Sequence, residues 1–336
     1  MTHACAPGAP PPGRRAVLGA LAGVALGVAG CSSSSAPAER PPQGSASPTR
    51  PASSSPASPS SGLPRTTPWR PGSAEVQPAA KQRAVQLVEA IGAWGDGHGG
   101  VPAARARVAA LGLPGDLVGQ ARPLLPTADQ AALQVVDAQY GGILSRSASV
   151  LVVCRQWTRR GGTVGAGGTT VDVRLSRSGH GWTVDALHPA HPGPAARSLA
   201  PEVMGVLSDD RIVLPPAAAA DLRSGQVHTS VARAMRALAR GYRLEVSVVR
   251  SGHPLNVFGT GRPSDHPRGR TFDVWRIDGH AVVGPATPRG LIERFMRDAA
   301  AAGSYNVGGP LLPGGAAGRF FSDPTHHDHV HIGFRT

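Results

Sequence analysis

Apolar residues recur three and four positions apart between Ala74 and Gly97. Val85, Val88, Ile91 and Trp94 fall on one face of the amphipathic helix this spacing predicts. Two more helices are expected over Ala103–Leu111 and Thr127–Gln139. The period then shortens to two. Ser149–Trp157 reads as a strand, and Val171, Val173 and Leu175 alternate with Asp172 and Arg174. Ser178-Gly179-His180-Gly181 supplies a turn, and Trp182–Asp185 returns as the partner strand. The glycine-rich run Gly161–Gly168 lacks the Lys-Ser/Thr ending of a phosphate loop and opens no helix, so it reads as a long hairpin loop. Helices followed by a meander make residues 76–200 a small α+β unit. It offers no catalytic constellation of its own, and His98 and His180 sit beside turn glycines.

The stretch His188–Pro201 is rich in Pro and Ala and marks a boundary, with a second domain over residues 201–336. There Ser230–Gly241 has the spacing of an amphipathic helix, and Tyr242–Val249 alternates as a strand through Leu244, Val246 and Val248. Thr287 and Pro288 suit a helix start and Gly303 a stop, with Leu291, Ile292, Phe295, Met296 and Ala299 on the core face. The fold class is therefore α+β in two domains.

Upstream, Arg14-Arg15 precede an apolar run from Ala16 to Ala29, too short to span a bilayer and shaped like an export signal. Its end, Val28-Ala29-Gly30-Cys31, resembles the bacterial lipobox. That resemblance implies cleavage after residue 30, lipidation of Cys31, and anchorage at the extracytoplasmic face of the membrane. The Arg pair also resembles a twin-arginine signal, and an ordinary export route remains an alternative. Residues 32–75 are Ser, Pro and Ala with almost no large apolar side chains, the composition of a flexible tether.

Net charge is +13, yet Lys81 is the only lysine among 34 Lys and Arg residues. Arginine is not clustered with aromatics, which make up 4% of the chain, so a nucleic-acid partner is excluded. With Cys5 in the leader and Cys31 claimed by the lipobox, Cys154 is left unpaired and is expected as a buried apolar side chain in a strand. The expected state is a monomer.

Seven of the 13 histidines follow residue 250. His280 sits in an Asp-Gly turn. Ser264–Asp273 places His266 on a Pro- and Gly-broken loop and Asp273 on the strand behind it, with Phe272 and Val274 facing the core. His329 and His331 share one face of a final strand whose other face is Val330, Ile332 and Phe334. Two neighbouring strands can thus aim Asp273 and His331 at one point that His266 reaches from its loop. Two imidazoles and a carboxylate with a vacant fourth position are what zinc hydrolysis requires.

These residues resemble a known group. Ser264–Asp273 is similar to the S-x-H-x-x-G-x-A-x-D motif of the D-Ala-D-Ala carboxypeptidase and LAS-type metallopeptidases, including the MepA-like murein endopeptidases. Asp328–His331 resembles their later D/E-x-x-H and H-x-H signatures, and Thr271 stands where the family has Ala. The resemblance covers roughly residues 205–336. It implies a LAS/hedgehog-like fold, helices packed on a small antiparallel sheet, with Zn2+ held by His266, Asp273 and His331. It implies Asp328 or His329 as the base, with His326 as a helper, and peptidoglycan stem or cross-link peptides as substrate. Relatives carry an S-G-Y-R stretch whose Arg orients the substrate. Here the run is Arg250-Ser251-Gly252-His253-Pro254, which leaves Arg250 or Arg262 as the candidate for a peptide carboxylate. A zinc-containing lipoprotein that binds the wall without turnover is the alternative. The upstream unit is similar at the level of shape to NTF2-like modules.

Overall fold

Two sheets organise the chain. A computed structural model describes residues 62–179, 181–315 and 318–335. The leader and lipobox, and residue 180, lie outside the described residues. The N-terminal sheet is an antiparallel meander of β1 (Gln130–Ile143), β2 (Ser147–Arg160), β3 (Thr163–Ser178) and β4 (Gly181–Pro189), in that order. Helix α1 (Pro78–Gly92) lays Ala84, Val85, Leu87, Val88 and Ile91 on it, and α2 (Gly100–Ala110) follows. Strands β2 to β4 are as the alternation predicts, and Cys154 is a buried free thiol whose Sγ donates to the Thr169 carbonyl at 3.1 Å.

Three local expectations are corrected. The helix expected over Thr127–Gln139 is strand β1. Its Ala- and Gln-rich sequence favours a helix only weakly, and pairing along the β-branched residues of β2 overrides that preference. Of the glycine run, only Gly161 and Gly162 turn the chain, and from Thr163 onward it pairs with Arg160 and its predecessors in β2. The tether expected to reach residue 75 is attached earlier: the amide of Thr67 donates to Gln134 Oε1 at 2.8 Å and that of Trp69 to Glu89 Oε1 at 3.2 Å.

Beyond the boundary come α3 (Pro201–Leu207), β5 (Ile212–Val213), α4 (Pro216–Arg223), α5 (Thr229–Ala239), β6 (Leu244–Val246), β7 (Thr271–Ile277), β8 (His280–Ala281), α6 (Arg289–Ala301), β9 (Asn306–Gly308), β10 (Phe320–Phe321) and β11 (Val330–Gly333). The sheet order is β10-β9-β11-β7-β6-β5, with β8 on β7. It is mixed rather than purely antiparallel, because β10 joins β9 and β5 joins β6 in parallel. Phe272, Val274, Val330 and Ile332 are fully buried and meet Met235 of α5 and Phe295 of α6 in one core. The core face expected of α6 is the one observed, but Thr287 does not cap it; its hydroxyl donates to the Ala281 carbonyl instead. Among the described residues no helix is long and apolar enough to cross a membrane.

The boundary at 188–201 separates two sheets, not two independent bodies, because the described residues form one compact unit. Leu151 and Val153 of β2 pack on Val248 after β6. The end of β1 reaches the loop before β11, where the Ile143 amide donates to Thr325 Oγ1 at 3.3 Å. A Cβ on Gly142 would lie 2.0 Å from Phe258 Cβ, so the close packing of β1 on Phe258 requires glycine.

Gly269 closes the loop that carries His266. Its φ is +66°, and a Cβ there would lie 2.1 Å from the backbone oxygen of Gln226. Gly269→Ala is therefore expected to cost at least about 1–3 kcal/mol from the left-handed backbone alone. Thermal or denaturant unfolding measures this, and a variant as stable as the parent contradicts it.

Candidate metal centre

Strand register brings the site together. His331 on β11 pairs directly with Asp273 on β7, so two side chains more than 50 residues apart share one sheet face. His331 Nδ1 lies 3.0 Å from Asp273 Oδ1. The loop from Ser264 to Arg270 is held by two backbone bonds, Gly269 amide to His266 carbonyl at 2.8 Å and Arg270 amide to Asp265 carbonyl at 3.1 Å. It brings His266 Nε2 within 3.2 Å of Asp273 Oδ2. One ligand atom from each of His266, Asp273 and His331 lies within 4.8 Å of the others, and all three residues are buried.

Hydrogen bonds fix which imidazole atoms face the centre. His266 Nδ1 donates to the Val249 carbonyl at 2.8 Å, so Nε2 carries the lone pair, and it is buried without any hydrogen-bond partner. Thr271 donates its hydroxyl proton to the Ile332 carbonyl at 2.8 Å. It thus packs its hydroxyl oxygen against the His331 ring, 3.3 Å from Nε2 and 3.4 Å from Nδ1. Burial lowers His331 to about 4, keeping it neutral at physiological pH. Burial opposes ionisation of Asp273, but the imidazoles of His266 and His329 outweigh it and hold that carboxyl well below its ordinary range. Two imidazoles and one carboxylate, with an orphaned ring nitrogen aimed between them, fit a divalent cation.

The carboxylate is oriented from the other sheet. Gln139, at 0% exposure on β1, donates from Nε2 to Asp273 Oδ2 at 2.6 Å, and its Oε1 accepts from Ser247 Oγ. The reading that the N-terminal half carries no chemistry is thus corrected. Gln139→Leu is expected to weaken divalent-cation binding about 10- to 100-fold, the usual cost of removing a partner that orients a ligand. Chelator competition measures this, and unchanged affinity would show that Asp273 needs no such partner.

Asp328 and His329 behave differently from one another. Asp328 Oδ1 lies 2.6 Å from His329 Nδ1, while Oδ2 accepts from the Tyr140 amide at 3.1 Å and pairs with Lys81. Burial raises Asp328, but Lys81 and His329 outweigh it and hold it down at about 2. Its stabilising effect is complete above pH about 4 and is lost as pH falls through about 2. His329 turns Nε2 towards the centre, 3.7 Å from Asp273 Oδ2. Burial lowers its basicity, yet the Asp273 and Asp328 carboxylates outweigh it and raise it to about 9. A cation on Asp273 would cancel the larger pull.

A cleft of about 640 Å3 opens over these groups, lined by the end of β1 from Tyr140 to Ile143, by Leu144 after it, and by His326, His329 and His331. Arg262 also lines it. His326 is held by Asp323, whose Oδ1 is 2.9 Å from its Nδ1. Arg250 is placed elsewhere. It donates to Gln226 Oε1 and to the Pro192 carbonyl and lies 3.9 Å from Asp221, facing a neighbouring hollow of about 690 Å3. His253, which sequence reasoning did not assign, stacks on the His266 ring at 4.0 Å and walls both spaces. Comparison with protein-family models, with curated proteins and with solved structures found no match to the chain.

Proposed function

We propose that this chain is an exported, zinc-dependent peptidase, anchored through a lipid on Cys31, that hydrolyses peptidoglycan stem or cross-link peptides. The observation that carries the reading is the buried trio His266, Asp273 and His331, with ligand atoms within 4.8 Å of one another beneath an open cleft. When bound, zinc supplies a Lewis acid that polarises a carbonyl and lowers the pKa of water. His266, Asp273 and His331 would hold it, and Gln139 keeps the Asp273 carboxylate turned inward.

His329 is the base in this reading. Its Nε2 takes the proton of the attacking water and returns it to the amine nitrogen as the peptide C–N bond breaks. Asp328 orients that ring and does not itself take the proton, because both of its oxygens are occupied by Lys81, the Tyr140 amide and His329. His326 and Arg262, on the cleft wall, are placed to bind the substrate. The internal bonding of Arg250 favours cleavage of a cross-link over recognition of a free C-terminus by that residue.

The full chain incubated with muropeptides should release new amines, stop on addition of EDTA, and recover with zinc. Mass spectrometry of the digest reads this. A zinc-loaded sample that leaves every muropeptide intact would favour the binding-only alternative.

A further inference from the structure

The one lysine of the chain is buried behind the candidate base. Lys81, on α1, has 0% exposure. Its Nζ pairs with Asp328 Oδ2 and with Glu75, and lies 5.1 Å from the centre of the Tyr140 ring. Burying an ammonium costs several kcal/mol unless it is paired, and apolar packing usually serves stability as well. Every other cationic position outside the histidines is arginine. An arginine's planar fork is not equivalent to a compact ammonium set between two carboxylates. At this position a compact ammonium sits between the Glu75 and Asp328 carboxylates.

What it touches indicates why. Lys81 and the Tyr140 amide both hold Asp328 Oδ2, which leaves Oδ1 fixed against His329 Nδ1. The ring then has one orientation, with Nδ1 against Asp328 and Nε2 open to the cleft, so that its neutral form keeps its proton on Nδ1. All three supports, Glu75, Lys81 and Tyr140, come from residues before the second sheet begins.

We propose that Lys81 is a positioning residue: through Asp328 it sets the ring orientation and tautomer of His329, so that α1 completes the site formed by the C-terminal sheet. This rests on the reading of His329 as the group that moves the proton. It implies that neither sheet forms a working centre without the other.

The test uses full-length, zinc-loaded protein and two readouts. Imidazole 15N shifts, with His329 assigned by its loss in His329→Gln, report the tautomer without reference to activity. Turnover of muropeptides reports the consequence. In the parent, His329 should be a single Nδ1–H tautomer. In Lys81→Met this should become a mixture, with zinc content still one per chain. kcat should fall about 10- to 100-fold while KM stays within about twofold, the pattern of a lost orienting contact. Lys81→Gln, which keeps a donor but not the charge, should give the same direction with a smaller change. Because 15N-lysine labelling yields one side-chain resonance, its shift on Asp328→Asn checks the contact directly.

A folded Lys81→Met protein with an unchanged His329 signature and kcat within threefold of the parent would overturn the proposal. So would unfolding of both Lys81 variants, which would make the residue one of stability alone. A parent that shows the single tautomer yet cleaves nothing would refute the peptidase reading and leave the positioning role standing.

Discussion

The Asp273→Asn variant is expected to lose stoichiometric zinc, and with it all peptidase activity, while remaining folded. Asp273 is the one formal negative charge among the three candidate ligands, and it lies between the two imidazoles, 3.0 Å from His331 Nδ1 and 3.2 Å from His266 Nε2. Asparagine keeps its size and can still accept from Gln139, so the strand and the contact between sheets survive. It cannot supply the anionic oxygen. The remaining pair of imidazoles leaves two protein ligands where a catalytic zinc has three. Elemental analysis after dialysis measures the loss. Thermal unfolding gives a second readout, since a ligand present at a thousand times its Kd stabilises the native state by about 4 kcal/mol. The parent should gain stability on adding zinc and Asp273→Asn should not. A variant that retains one zinc per chain would exclude Asp273 as a necessary ligand.

His329→Ala is expected to retain the metal and lose turnover. Removing a positioned proton-transfer group typically costs about 10²–10⁴-fold in rate. His329 sits on the cleft wall with Nε2 3.7 Å from Asp273 Oδ2, outside the trio, so zinc content should not change. KM should move little, because the ring acts on the water and on the leaving nitrogen. Asp328→Asn should be milder in kcat, because it disturbs only the support of that ring. If Asp328→Asn proved the more severe of the two in kcat at equal zinc content, the roles given to these neighbours would have to be exchanged.

Much of the metal centre was legible in the sequence because its geometry is local. A Pro- and Gly-broken loop cannot continue as a helix, so His266 had to approach Asp273 from outside the strand. The alternation of Val330, Ile332 and Phe334 placed His329 and His331 on one face. What local pattern could not supply is strand register, and it is the direct pairing of His331 with Asp273 that closes the trio. Asp328 turns inward only if the chain bends at the strand start, and Pro324 with the polar run after it signals that bend. Asp328 lies in a short turn after Thr325–His327, where strand alternation does not apply.

The larger omission was the contribution of the first sheet, and it has one source. Thr127–Gln139 contains Ala131, Leu133, Val135 and Ala138 at spacings compatible with either period, so its pattern alone admits a helix. As a helix the segment gave no reason for Gln139 to reach another domain. As strand β1 it delivers Gln139 and the Tyr140 amide to Asp273 and Asp328. One signal was available in the sequence: a single lysine in an arginine-rich chain. It was used to judge net charge and not to locate a buried pair.

The most direct measurement of the central claim is zinc-edge X-ray absorption on the full-length protein, with and without a competing small-molecule ligand. The account predicts one zinc per chain in a shell of nitrogen and oxygen at about 2.0–2.1 Å, containing two imidazoles and at least one position that the added ligand can occupy. A chain that takes up no stoichiometric zinc, or one whose zinc is closed by four protein ligands and ignores the competitor, would contradict it.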